Sequence, residues 1–364
     1  MQFNDNQKSV FIGNKLSVGV FGASHAEKIG VTIDGLNGES FSKQSVDALL
    51  KRRGAKEGAF STTRKEPDVV VYEAGATQDD TTVFINDRLT ASIYNTSQHS
   101  SDYQKIHKKP RPSHADYVGY AKYGDGFDYR GGGKFSGRMT APICIAGAIC
   151  KELLEKRGVK INAYLSQIGT VKGKGYNDID VEAFDFSSLD KAFPVIDDND
   201  AQKMLEQIQS AKTNGDSLGG VIECVVQGHG VGVGEFMFDS IEGQISRLAF
   251  SIPAVKGIEF GLGFEITTLK GSSANDQLAL KDGKVITKTN NNGGINGGIS
   301  NGMPITFRVA IKPTPSIALE QETVDLSTMK PCKIQIGGRH DACIAPRAVA
   351  CIEAITAIAL YDII

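Results

Sequence analysis

Apolar positions recur along this chain in two rhythms. Lys15–Gly22 (KLSVGVFG) and Gly30–Gly35 (GVTIDG) carry alternating or continuous apolar residues bounded by glycine, which predicts two strands. Val69–Tyr72, Thr82–Ile85 and Ala91–Tyr94 predict further short strands. Ser42 precedes a segment that sets Val46, Leu49 and Leu50 on one helical face and ends at Lys51-Arg52-Arg53-Gly54, the pattern of a capped helix. Thr140–Gly158 is the clearest helix, with Thr140 as cap, Pro142 in the first turn and glycine after a basic last turn. Its first half is apolar all round, so that end is buried, and there unpaired amides and the helix dipole favour an anion.

The second half alternates again. Asp200–Lys212, Asp239–Phe250 and Arg347–Tyr361 predict helices, while Gly219–Gln227, Ile258–Leu269 and Ile305–Ile311 predict strands. Asn290–Gly302 (NNNGGINGGISNG) is too rich in glycine and asparagine for either, and reads as a flexible linker or as a turn with a demanding conformation. The C-terminal apolar run is interrupted by Glu353 and Asp362, so it predicts a core helix rather than a membrane span. No composition break marks a boundary, so 1–364 is expected to form a single domain. Because strand runs are often adjacent, the expected class is α+β with antiparallel sheets.

Composition changes this picture little. Hydrophobic residues at 40%, charged residues at 23% and a net charge of -2 are those of a soluble globular protein with no reason to bind nucleic acid. Any anion must meet a local basic pocket. The opening MQFNDNQKSVF lacks a signal-peptide pattern. Six cysteines without a CxxC pair suggest reduced, buried thiols and a cytoplasmic protein.

The stretch Arg111–Arg138 (RPSHADYVGYAKYGDGFDYRGGGKFSGR) concentrates cations, tyrosines, one histidine and a glycine run. Cations supply charge, glycines allow close backbone approach and a histidine can move a proton, a mixture suited to a polyanion beside a planar group. His25, at a strand end between small residues, and His114, after Arg111-Pro112, each read as structural or functional. His340 and Asp341 follow Arg339, which would suit a carboxylate base. His99, His107 and His229 lack comparable neighbours and read as surface or loop residues. No metal-ligand spacing, HExxH, GxSxG or Walker motif is present, and Gly228–Gly234 (GHGVGVG) lacks the helix and acidic residue of a dinucleotide loop. No metal is expected.

Taken in order, FGASHA, STTRKEPD, RPSHADY, KYGDGFDYRGGGKFSGRMTA, GDSLGG, FSIPAVKGIEFG, NNNGGINGGISNG, KPTPSI and GRHDAC resemble the chorismate synthase family over nearly the whole chain. The resemblance implies a β-α-β sandwich of antiparallel sheets with helices on the outside, assembled as a homotetramer. It also implies anti-1,4-elimination of phosphate from 5-enolpyruvylshikimate 3-phosphate to give chorismate. Reduced FMN would be the cofactor, and NADPH the flavin reductant in some members. By motif, His25 would protonate the departing phosphate, His114 would govern the flavin's protonation, and Asp341 would assist hydrogen removal. Arg52, Arg53, Arg64, Arg111, Arg138 and Arg339 would bind substrate. Lys134, Phe135, Ser136, Pro253, Ala254, Gly298, Lys312, Pro313, Thr314, Pro315, Ser316 and Arg339 would contact FMN. The chain departs from the family pattern at Ala23, Ala26, Ala59, Ser97, His99, Phe135, Met139 and Pro253, which keeps a second reading open: a catalytically drifted flavin- or anion-binding paralogue. A phosphate-ester hydrolase is disfavoured, since metal ligands and an activated nucleophile are lacking.

Overall fold

A computed structural model describes residues 9–55, 67–96, 108–337 and 341–364. The first sheet joins β1 (Ser9–Ile12), β2 (Ser17–Gly22), β3 (Lys28–Asp34), β6 (Thr82–Tyr94) and β4 (Ser40–Ser42) in that order, with β5 (Val70–Gln78) also paired to β6, and every pairing is antiparallel. In β3 the period of two is complete, with Ile29, Val31 and Ile33 all buried on one face. The two short runs expected at Thr82–Ile85 and Ala91–Tyr94 are one strand, because the polar Asn86–Arg88 between them stays exposed while the ladder continues.

The second sheet runs β10 (Val255–Phe260), β15 (Ile305–Ile311), β9 (Gly220–Gln227), β7 (Lys160–Ile168) and β8 (Val171–Lys172), again antiparallel. Hairpins β11–β12 (Leu278–Lys281, Lys284–Thr287), β13–β14 (Ile295–Asn296, Ile299–Ser300) and β16–β17 (Gln321–Asp325, Lys330–Ile334) form separate two-stranded sheets. The strand expected over Ile258–Leu269 ends at Phe260. Gly261 turns at φ +55°, where a Cβ would strike the Asn291 carbonyl at 2.1 Å, and residues 263–268 form a 3-10 helix instead. Asn290–Gly302 is an ordered turn, held by Asp276, whose carboxylate accepts from the Asn291 and Asn292 amides.

Between the sheets lie α1 (Lys43–Arg53), α3 (Thr140–Glu155) and α7 (Ala345–Ile363), which pack on one another while α3 also meets β3 and α7 meets β7 and β9. The antiparallel α+β sandwich is as expected, with α4 (Asp198–Thr213) on the outside and a further helical layer between the sheets. The most apolar helices, α3 and α7, form the inner layer, because they can bury nearly their whole circumference only between two sheets. The amphipathic α4, with only Met204 and Ile208 buried, lies peripherally on β7 and β8. The remaining helices are α2 (Asp116–Tyr123), α5 (Ile241–Ala249) and the single turn α6 (Gly271–Ala274).

Ser42 caps α1 as expected, accepting from the Gln44 amide at 3.2 Å. Thr140 does not cap α3; its hydroxyl donates to the Gly137 carbonyl at 2.7 Å and accepts from Arg53. The two acidic residues of α7 are structural. Asp362 accepts from the amides of Asn14, Lys15 and Leu16, each at 2.8 Å, and Glu353 is paired within the core. No helix among the described residues is long and apolar enough to cross a membrane.

Candidate active site

A cleft of about 1160 Å³ opens where the glycine run, the N-terminal ends of α3 and α7, the segment after α5 and the segment after β15 converge. Single-ligand pockets span roughly 300–1,000 Å³, so there is room for two small molecules together. Among the described residues, eight Lys and Arg line it against two carboxylates, Asp68 and Asp341.

The glycine run builds one wall. Gly131, Gly132 and Gly133 all have positive φ, at 58°, 82° and 54°. A Cβ on Gly131 would lie 2.7 Å from the His25 ring, and one on Gly132 would lie 3.4 Å from the His114 ring. The bare backbone therefore passes between the two histidines, which is why larger residues cannot replace these glycines. His25 is buried behind Gly131, while its neighbour Ser24 reaches the cleft.

His114 is held by a charged network. Burial works to raise the Asp116 pKa, but hydrogen bonds from Arg111 and His114 outweigh it and hold this carboxyl well below the usual range. An ionised Asp116 can only accept, so the 2.6 Å contact from its Oδ1 to His114 Nδ1 assigns the proton to Nδ1 and leaves Nε2 toward Gly132. Arg111 donates to both Asp116 oxygens at 2.7 and 2.8 Å and to Ser316 Oγ at 3.0 Å. Its guanidinium is thus taken up in orienting Asp116 and His114.

The mouth of α3 holds a second network. Asp68 accepts from Arg53 Nη1 at 3.1 Å and from Arg138 Nη1 on its other oxygen. Arg53 also donates to Thr140 and to the Gly137 carbonyl, and Arg138 Nε donates to Asn95 at 3.1 Å. Across the cleft, Arg347 Nη1 donates to Asp341 at 2.6 Å, and Arg347 Nε donates to the Arg53 carbonyl at 3.2 Å. Lys312 Nζ donates to the Ser113 carbonyl at 2.5 Å; burial, then the nearby Lys256, lower its pKa.

Of the residues singled out in the sequence, His114, Asp341, Arg53, Arg111, Arg138, Lys134, Phe135, Ser136, Pro253, Ala254, Lys312, Thr314, Pro315 and Ser316 line this one cleft. Phe135 is half-exposed at its edge, tilted against Phe127 with ring centroids 6.1 Å apart. Arg52, expected on the substrate, is not among them: it makes a two-point contact with the buried Glu353 at 2.6 and 2.8 Å. Adjacent helical residues point about 100° apart, so α1 cannot send both arginines to one site. Gly298 and Pro313 also lie off the cleft wall; the Gly298 carbonyl accepts instead from the Ile241 amide at the start of α5. His229 is in a loop but is buried, and burial lowers its pKa. Arg64, Arg339, His340, His99 and His107 fall outside the described residues. The described residues contain no group of three or more His, Cys, Asp or Glu placed to hold a metal ion.

Sequence reasoning missed Asp68, Asn95, Asp116 and Arg347. Only Arg347 left a signal, a cation in the first turn of an otherwise apolar helix, where the dipole disfavours it.

Comparison with known proteins places the family and the fold. Residues 16–364 match the family model described as chorismate synthase. A chorismate synthase of Dehalococcoides mccartyi (strain ATCC BAA-2266 / KCTC 15142 / 195) is 41% identical over 97% of this chain and 95% of its own length. One from Pyrococcus abyssi (strain GE5 / Orsay) is 43% identical over 96% of each. A crystal structure of chorismate synthase superposes with a TM-score of 0.73 at 25% identity, covering 97% of this chain and 92% of the other. With its two histidines divided by a glycine wall and its cations gathered on one cleft, this chain belongs to the chorismate synthase family.

Proposed function

We propose that this chain, acting as a single domain, converts 5-enolpyruvylshikimate 3-phosphate to chorismate and phosphate, with reduced FMN in the same cleft. The observation that carries the reading is the convergence of His114, Asp341 and an excess of cations on one cavity large enough for both molecules.

The cleft offers features that fit a flavin nucleotide. The Thr314 hydroxyl is buried on the cleft wall with no hydrogen-bond partner among the described residues. A buried polar atom without a partner costs about 1–3 kcal/mol, so a ligand that meets it gains that much. Ile252, Pro253 and Ala254 supply an apolar face, while Lys134 and Lys312 supply charge. When bound, reduced FMN supplies an electron-rich ring that assists departure of an allylic phosphate without net redox change.

The residues divide the remaining work. Arg138 and the α3 N-terminus attract the anionic substrate, and Arg53 fixes Asp68 and Gly137 behind them. His25, which meets the cleft only across the side-chain-free Gly131, gives a proton to the leaving phosphate as its C–O bond breaks. Asp341, oriented by Arg347, takes the ring hydrogen as a proton, and the C–H electrons form the new double bond. His114, its Nδ1 proton held by Asp116, turns Nε2 toward the cofactor for proton exchange. Ile252, Pro253, Ala254 and Val255 give that side of the cleft an apolar wall, which disfavours water beside the reacting atoms.

The test is anaerobic turnover with chemically reduced FMN, following phosphate and chorismate together. Equal yields are expected. Flavin binding without turnover would favour the drifted paralogue, and phosphate without chorismate would mean hydrolysis. Flavin-dependent NADPH consumption, a solution mass of four chains and cytoplasmic fractionation complete the reading.

A further inference from the structure

Two cysteines from opposite halves of the chain meet beneath the cleft. Cys144 in α3 and Cys351 in α7 bring their sulfurs to 3.9 Å, and Cys351 lines the cleft while Cys144 is fully buried. The helices are in backbone contact one turn further on. A Cβ on Gly147 would lie 2.3 Å from the Cα of Ala354, so small residues of both helices hold the axes close beside the cysteine pair. Disulfides need Cα atoms within roughly 7 Å, a separation that only such a close helix pair provides. The other four cysteines are free as well, but none of them shows a sulfur contact of this kind among the described residues.

We propose that Cys144 and Cys351 form a redox-active dithiol that hydroperoxides, entering through the cleft, convert into a disulfide. Cys351 is the attacking sulfur because it alone of the two reaches the cleft. The hydrogen bond from the Cys144 thiol lowers the Cys351 pKa; burial opposes it, and Arg53, Thr140 and Arg347 assist it, whereas the same hydrogen bond raises the pKa of Cys144. The Cys351 thiolate attacks the outer oxygen of ROOH; the O–O bond breaks, ROH leaves and Cys351 becomes a sulfenic acid. The Cys144 thiol then attacks that sulfur, the S–S bond forms and water leaves. Two thiols have given up two electrons and two protons, which are carried away in ROH and water. A dithiol reductant reverses the change by thiol exchange.

The bond would tie α3 to α7 one turn from Arg347, whose carbonyl faces the Cys351 sulfur at 3.8 Å and whose guanidinium orients Asp341. Oxidation therefore acts on the floor of the cleft.

Folded full-length protein treated with hydrogen peroxide, quenched with N-ethylmaleimide under denaturing conditions and digested gives the answer by mass spectrometry. The expected product is a Cys144–Cys351-linked peptide pair, removed by dithiothreitol, while Cys150, Cys224 and Cys343 are alkylated as thiols. Recovery of Cys144 and Cys351 as alkylated thiols, or Cys351 sulfinic acid with no linked peptide, overturns the proposal. In a folded Cys144→Ala variant the reaction should stop at a Cys351 sulfenic acid that dimedone captures, and no adduct there would also refute it. If that variant does not fold, the linked peptide from the unaltered chain still decides the matter.

Discussion

Arg52 and Arg53 are neighbours in α1 and serve two different kinds of charged site. Arg52 enters a closed cluster in which Glu353, fully buried, accepts from Arg52, from Lys151 at 2.7 Å and from the Ala163 amide at 3.2 Å. Arg53 joins a cluster at the cleft, where cations exceed carboxylates and the wall opens to solvent. In the first cluster every charge has a protein partner, so its purpose is to fasten α1, α3, α7 and β7 together. In the second, the described lining carries a positive surplus, which suits an incoming anion. Surplus of charge, rather than the presence of arginine, separates the binding site from the brace.

The largest effect expected from breaking this contrast is on chemistry. His114→Ala should lower turnover by about 100- to 10,000-fold, the usual worth of a general acid-base group. Its melting temperature should change little, and turnover equal to that of the unaltered chain would remove His114 from the site. Next comes the brace. Glu353→Ala strands two cations beside the core, so denaturant unfolding should show a loss of about 3–5 kcal/mol. A loss below 1 kcal/mol would mean that the cluster is not a brace.

The pH dependence sharpens the same point. Burial works to raise the Glu353 pKa, but Lys151 and Arg52 outweigh it and bring it from 4.5 down to about 2. A depressed carboxyl contributes stability above its unfolded pKa and loses it as pH falls through the folded one. The brace should therefore add about 3 kcal/mol at neutral pH, by the ~1.4 kcal/mol carried by each pKa unit. That contribution should vanish between about pH 4.5 and pH 2. Unfolding curves of the unaltered chain and of Glu353→Gln should converge across that interval; parallel curves would contradict it.

The glycine wall comes next. Gly131→Ala puts a methyl group against the His25 ring at a positive φ, and about 1–3 kcal/mol of strain is expected. Turnover should fall by more than stability alone explains, because the wall sets the spacing of both histidines. A variant with normal turnover would show that this spacing is not needed. Phe135→Ser should do least. Its ring is half-exposed and touches Phe127 at the rim, so stability should change by less than about 1 kcal/mol and the substrate KM by only a few-fold.

Much of this was legible along the chain. Alternation at Ile29, Val31 and Ile33 and continuous burial along α3 and α7 depend on local periods, which predict element type well. The motifs around His25, His114 and Asp341 carried the resemblance to the family, which the family model and the relatives bear out. The strand expected past Phe260 failed for an equally local reason, since Gly261 turns the chain against Asn291.

What only the tertiary structure decided is which polar groups meet. Asp68 and Arg138 are paired across 70 positions, Arg53 and Thr140 across 87, and Arg52 and Glu353 across 301. A sequence states that Arg52 and Arg53 are cations, and helix geometry adds that they diverge. It cannot state which of the two directions faces Glu353 and which faces an open cleft, because that follows from how two sheets close over three helices. Residue chemistry was therefore determined by the sequence alone, and the division between brace and binding site by the packing that brings distant side chains together.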